Sequence, residues 1–552
     1  ARARAQQLPP HILAAASSPK GPRSKMAPRL SLLAALAAGA RAHEHFLLLG
    51  GNDEPNPAVL GYIPVPLDSS YSDVRLEVEG KVPSYLNGTL YRGAPGHWPD
   101  GWWLDGLITL NAFRFSQGSV SYSMQWSKDE AYNRTVAGTA PNPPAPMGPV
   151  PGAIPHPANS SWPTGVAFRQ VQGQILGSTG VSNANSFHAA NLQPLEMPFV
   201  YSDDLGAPFL APTHEQTIDG HVVHHLVTGM QKGSGGVPSY VVYTIKPGSR
   251  TRDVVAKIEH PKESSPFEGY PSFQHMPLLT SEYYVMLEAP CYYPETVTSV
   301  GEVDWKGWRS NPLAGGHVRL VSRATGESIV YPLKSTVFAI HHINAFHDGN
   351  NLIIDTIQTF PWFVPCAEAF KGLDMDSYVG NWKKIGSGLA MSKLVRLTLP
   401  LDRPGATVAA QPLSNVTGME FPTISYDKLN GKPYRYAWGC WMSSSKAPYY
   451  DALLKLDVQT GASKSWKVDG HYPGEPIFVP NLEGKSEDDG VVMTNVLDTI
   501  KNQTYLVLLD GQTMQQIGRA GPTPHVIPHG FHGRYDDRKL NAAAETPAAV
   551  WV

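Results

Sequence analysis

From about residue 107 to the C-terminus the chain is a succession of short runs rich in β-branched and aromatic residues, each cut off by turn formers. LITLNAFRF (107–115) is followed by GSVSYSMQW, HVVHHLVTG, SYVVYTI and EYYVMLE. Later come NLIIDTI, KLVRLTL, YRYAWGCWM, GVVMTNVLD and TYLVLLD. Hairpin turns stand between them as RATGES, HDGNN, DVQTGAS and LDGQT. No regular helices intervene, so the fold is read as all-β. So many antiparallel strands leave edges that must be hidden by closure or by radial repetition. With 552 residues the chain is long for a sandwich, and a β-propeller is the expected architecture. The 51 glycines and 50 prolines supply its turns. No WD-type period sets the blade number.

Charge narrows the function. Basic and acidic residues nearly balance, 44 against 47, and no lysine/arginine run forms a stripe, so nucleic acid is excluded as an expected partner. Residues 1–42 read as a presequence ahead of a single domain over 43–552. The first acidic residue is Glu44, and from Met26 the chain runs MAPRLSLLAALAAGARA, a basic start, an apolar stretch Leu30–Ala38 and small residues at Ala40 and Ala42. That is the pattern of a signal or transit peptide, pointing to the secretory pathway or a plastid. No other stretch is long enough to span a membrane. Five N-x-S/T sequons, at Asn87, Asn133, Asn159, Asn415 and Asn502, matter if the chain is secreted. Cys291, Cys366 and Cys440 are too widely spaced for a metal pair and are expected to be buried thiols. Residues 139–163 are proline-rich and read as a surface loop. FPWFVPCAEAFKGL (360–373) is read either as core packing or as an apolar mouth for a lipophilic substrate or a membrane surface.

Of 20 histidines, four share one setting at or near the end of a strand-like run: His214, His275, His341 and His532. Their separations match no local metal motif. Ligands contributed by separate blades would be spread in this way, because inner strands of a propeller meet at one axis. Four neutral imidazoles suit a borderline transition ion and leave positions open. Glu196, Glu420 and Glu475 lie among apolar or proline residues, where an unpaired carboxylate is costly, and are candidates to accept the outer N–H of such histidines.

The chain resembles the carotenoid cleavage oxygenases, a family that also includes the retinoid isomerase. The resemblance rests on NGTLYRGAPG (87–96), Asp105–Gly106 ahead of an FRF strand, NANSFHAANLQPLE (183–196) and the four histidine stretches. It continues through EFPTISYDKLNGKPYRYAWG (420–439), YPGEPIFVP with SEDDGVV (472–492) and the terminal GFHG. It implies a seven-bladed propeller with a small helical or loop cap over its top face. It also implies one Fe(II) per chain held by His214, His275, His341 and His532, with Glu196, Glu420 and Glu475 behind them. The family pattern F-H-x-x-N selects His341 by its spacing to Asn344, and strand alternation then turns His342 away. Two departures stand out: Glu215 follows the first histidine where the family has proline, and Met276 and Pro277 follow the second where it has Asp-Phe. His221, His224 and His225 lie near enough to be alternatives to His214.

The implied activity is oxidative cleavage of a conjugated C=C bond in a carotenoid or apocarotenoid to carbonyl products. O2 and a lipophilic polyene would be the partners, with peripheral membrane contact, and no catalytic side chain is needed beyond the ligands. The competing expectations are a retinoid-type isomerohydrolase on the same iron and a metal-free propeller that binds partners.

Overall fold

Among the described residues seven antiparallel sheets have four to six strands, with one further two-stranded ribbon (Cys291–Tyr292 and Arg309–Ser310), and in five of the seven the strand order simply follows the chain. This computed structural model describes residues 57–537, apart from 99–105, 139–164, 172, 179–183, 204, 206–210, 230–235, 262–266, 268, 293–308, 312–314 and 360–390. The presequence, the proline-rich 139–163 stretch, Asn159, Phe360–Leu373 and Cys366 lie outside the described residues. The expected propeller is borne out, with seven blades and few helices.

Blade 2 holds Ala167–Val171, Gln174–Ser178, Asn185–His188 and Pro194–Glu196. Blade 3 runs from Gln216–Ile218 through His221–Thr228 and Ser239–Ile245 to Asp253–Glu259. Blade 4 begins at Leu278–Leu279, blade 5 at His342–Asp348 and blade 6 at Met419–Thr423. The leading strands of successive blades adjoin one another, which makes them the inner ring. The last strand of each blade is the rim.

The ring closes twice. Gly533–Asp536, near the C-terminus, pairs with Thr89–His97 as the inner strand of blade 1, in the register Thr89↔Asp536 and Arg92↔Gly533. Conversely Val78–Gly80, from the N-terminal side, pairs with Gln516–Ala520 as the rim of blade 7. Each end of the chain therefore completes a sheet begun by the other, and the closed ring exposes no inner edge.

Alternation along each strand explains why the blades stack. In blade 6 Leu453 packs toward blade 7 with Trp438, Phe478 and Val492, while its neighbour Leu454 packs toward blade 5 with Ile353 and Leu394. Both faces are apolar, so strands read as continuous hydrophobic runs such as Gly490–Asp498, buried at all nine positions. Trp438 and Phe478 stack with ring centroids 4.1 Å apart. Burying each such side chain contributes roughly 1.5–3 kcal/mol.

Where the second strand of blade 1 meets the segment entering blade 2 there is no room for a side chain. A Cβ on Gly93, within NGTLYRGAPG, would run into the Gly165 carbonyl of the segment entering blade 2. The cysteine expectation needs one correction. Cys440 is a free buried thiol, but Cys291 is disulfide-bonded. Wide spacing in sequence does not prevent pairing once blades bring distant segments together.

Candidate metal centre

Each of the four histidines immediately precedes an inner strand. His214 lies two residues before Gln216–Ile218, His275 three before Leu278–Leu279, His341 one before His342–Asp348 and His532 one before Gly533–Asp536. Blades 3, 4, 5 and 1 thus each deliver one imidazole to the axis at the same level. One ring nitrogen from each lies within 4.8 Å of all the others. The Nε2 atoms of His214 and His532 are 2.9 Å apart, and those of His341 and His532 3.2 Å.

Two carboxylates orient rings of this cluster. Glu420 Oε2 lies 2.6 Å from His341 Nδ1, and its Oε1 accepts from the Thr359 hydroxyl at 3.0 Å. Glu475 Oε1 lies 2.7 Å from His532 Nδ1, and its Oε2 accepts the Gly533 N–H at 2.7 Å. Glu420 comes from the inner strand of blade 6 and Glu475 from the link between the inner strands of blade 7, so they reach the axis between the histidine blades. With Nδ1–H donated outward, each Nε2 turns its lone pair to the centre. Burial, and then the neighbouring histidines, hold His214 and His275 well below the usual imidazole pKa. Burial also lowers His532, against the opposing pull of Glu475. Imidazoles that turn lone pairs inward, with no carboxylate among them, fit a divalent transition ion.

The third glutamate is not there. Glu196 closes Pro194–Glu196, the rim strand of blade 2, and is paired with Arg250 at 2.6 Å. Its expected contact with a ligand histidine is overturned for a topological reason. In a propeller blade only the leading strand touches the axis, and Glu196 is on the fourth. His275 has a hydroxyl instead: Thr213 Oγ1 lies 3.3 Å from His275 Nδ1, while the Thr213 and His214 N–H groups both donate to the His275 carbonyl, at 3.0 and 3.3 Å. The segments leading into blades 3 and 4 are clasped directly, without a charge.

The other histidines sort by the strand they occupy. His342 points from the axis into blade 5, its Nδ1 2.6 Å from Thr356 Oγ1, and burial lowers its pKa to about 3. His221, His224 and His225 all lie on the second strand of blade 3. His224 Nε2 donates to the Pro212 carbonyl and His225 Nδ1 lies 2.9 Å from the Tyr284 hydroxyl, so none of them joins the cluster. Glu215, the departure next to His214, turns away to Arg169 of blade 2. Its charge is met there and does not enter the centre. Phe421, which sequence reasoning missed, lies over His341 and His532 with centroids 5.0 and 5.3 Å away, in a left-handed backbone conformation with φ of 50°. Its position directly after Glu420 was the available signal. Thr213 and Thr359 carried none.

The chain is 25% identical over 539 residues to the human mitochondrial carotenoid-cleaving dioxygenase, covering 84% of this chain and 88% of that one. It is 25% identical over 495 residues to the chloroplastic carotenoid cleavage dioxygenase 8 homolog A of Oryza sativa subsp. japonica, covering 83% and 84%. Human beta,beta-carotene 15,15'-dioxygenase matches at 25% over 538 residues, covering 86% and 94%. Among solved structures, cobalt-substituted ACO of Synechocystis superposes with a TM-score of 0.71 at 22% identity, covering 87% of this chain and 98% of that one. An ACO/RPE65 chimera gives the same TM-score at 21% identity and the same coverage. The family described as retinal pigment epithelial membrane protein matches residues 64–537. That span takes in all seven blades and every residue of the histidine cluster, so the chain belongs to the retinal pigment epithelial membrane protein family.

Proposed function

We propose that the chain is an iron-dependent oxygenase that cleaves a conjugated double bond of a carotenoid or apocarotenoid to two carbonyl products. The observation that carries this reading is the four-imidazole cluster, with carboxylates behind His341 and His532, in a chain whose relatives include carotenoid-cleaving dioxygenases. Ferrous iron bound by His214, His275, His341 and His532 would supply activation of O2 toward the alkene.

The protein's own tasks are positional. Glu420 and Glu475 hold two rings in the tautomer that offers Nε2 inward. Thr213 orients His275. An all-imidazole set adds no negative charge, so the centre stays cationic. Phe421 and Phe273, whose rings face His341 and His275, present apolar surface beside it and keep water from competing for a greasy chain. No side chain is needed as a nucleophile.

The test is anaerobic reconstitution with Fe(II), a count of metal per chain, and incubation with carotenoids and apocarotenoids under 18O2. The expected result is about one iron per chain and heavy oxygen in both carbonyl products. Products formed without label would overturn oxygenation and favour isomerohydrolase chemistry. A chain that retains no iron would overturn the metal reading altogether. Among the described residues no helix is long and apolar enough to cross a membrane.

A further inference from the structure

We propose that the chain is N-glycosylated at Asn87, Asn133, Asn415 and Asn502, and hence that it matures in an oxidising, glycosylating compartment. An N-linked glycan is bulky and hydrated, and a folded chain accommodates it only on an exposed asparagine. All four of these sequon asparagines are exposed. Asn87 stands just ahead of Thr89–His97. Asn133 lies in the helix α1 (Glu130–Ala137), Asn415 on the rim strand of blade 5, and Asn502 in the turn before Gln503–Asp510.

The asparagines that the fold buries behave differently. Asn111, Asn185, Asn344, Asn430 and Asn495 are all at most 8% exposed, and none has Ser or Thr two residues later. Every sequon among the described residues thus lies where a glycan has room. A second, independent observation is Cys291. It is disulfide-bonded and 1% exposed, a link that persists in oxidising compartments and is rare in reducing ones. The basic and apolar segment after Met26 fits entry into such a compartment.

The donor required is a lipid-linked oligosaccharide diphosphate. The asparagine Nδ2 attacks the anomeric carbon, and the C–N bond forms as the C–O bond to diphosphate breaks. The lipid diphosphate leaves with that electron pair, and the amide gives up one proton. Transfer precedes folding, so the burial of Thr89 and Thr504 in the finished blades does not obstruct it. That burial does decide the design of the test. Thr504 Oγ1 accepts the Ile527 N–H, so asparagine, not threonine, is the residue to change.

The full chain, with its own N-terminal segment, is expressed in eukaryotic cells and mapped by peptide mass after enzymatic removal of N-glycans in 18O water. Asn87, Asn133, Asn415 and Asn502 are expected to be converted to aspartate carrying the heavy isotope. Each Asn→Gln variant should lose one glycan step on a gel, and Cys291 should resist alkylation until the chain is reduced. Recovery of all four asparagines unmodified, or alkylation of Cys291 without reduction, would overturn the proposal. The mapping uses the unmutated chain, so a variant that misfolds does not cloud it.

Discussion

His341 and His342 are adjacent, yet one faces the histidine cluster and the other faces Thr356. His341→Ala should remove an iron ligand and with it metal retention and turnover, whereas His342→Ala should keep iron. The second variant leaves a cavity and an unpaired Thr356 hydroxyl, at a cost of about 1–3 kcal/mol in chemical unfolding. Metal content after gel filtration separates the two. That the two rings face opposite ways was legible from strand alternation, and that His341 is the inward one from the family pattern the stretch resembles. The roles of the glutamates were legible only in part. Glu196→Gln should leave metal affinity unchanged, because its carboxylate serves Arg250 on the rim. Thr213→Val should weaken metal retention by about tenfold, since partners behind a ligand histidine set its orientation and basicity. Thr213→Ser should restore it. Cobalt titration followed by its visible spectrum reads both, and a valine variant that binds like the parent would remove Thr213 from the site.

Strands and their turns carry the next level of order. The expected hairpins at RATGES, HDGNN, DVQTGAS and LDGQT each join two paired strands, because local turn chemistry decides them. Contacts between blades had no such local signal. Asn344 bonds through its side chain to the Leu429 and Lys432 carbonyls and the Gly431 N–H, fastening blade 5 to the YDKLNGK turn of blade 6. Phe421 holds a conformation that costs a non-glycine residue about 1 kcal/mol or more, and its packing on His341, His532 and Tyr450 offsets that cost. Gly93→Ala brings a Cβ against the backbone of the segment entering blade 2. Overpacking of this kind destabilises by typically 1–3 kcal/mol, and here the obstacle is a carbonyl that cannot rotate away. A thermal midpoint unchanged from the parent's would contradict it.

Closure makes the ring one cooperative object. Arg92 of blade 1 donates to the Glu475 carbonyl at 2.8 Å and the Phe531 carbonyl at 3.3 Å, so one buried guanidinium ties blade 7 and the segment carrying His532 to the sheet that both ends of the chain complete. The same burial predicts how stability responds to acid. His224, His525 and His529 are lowered to about 4 and His342 to about 3, in each case chiefly by burial. The unfolded chain binds their protons near pH 6.5 and the folded chain does not. Stability is therefore complete above about 6.5 and falls as pH drops toward 4, by roughly 1.4 kcal/mol per pH unit for each histidine. Urea midpoints of the metal-free protein across that window should decline steeply. A flat profile would mean these rings are solvated.

Periodicity and turn residues alone determined that this chain is an all-β ring of blades, because a strand's alternation and a turn's backbone demands are local properties. The resemblance of its histidine and glutamate stretches to a known family located the four imidazoles, Glu420 and Glu475. Which glutamate reaches the axis was decided by tertiary structure, since strand order within a blade separates the inner ring from the rim and Glu196 falls on the rim. The clasp of Thr213 on His275 and the placement of Phe421 over the cluster were decided there too. Each depends on where blades far apart in sequence meet, and no local pattern of residues encodes that distance.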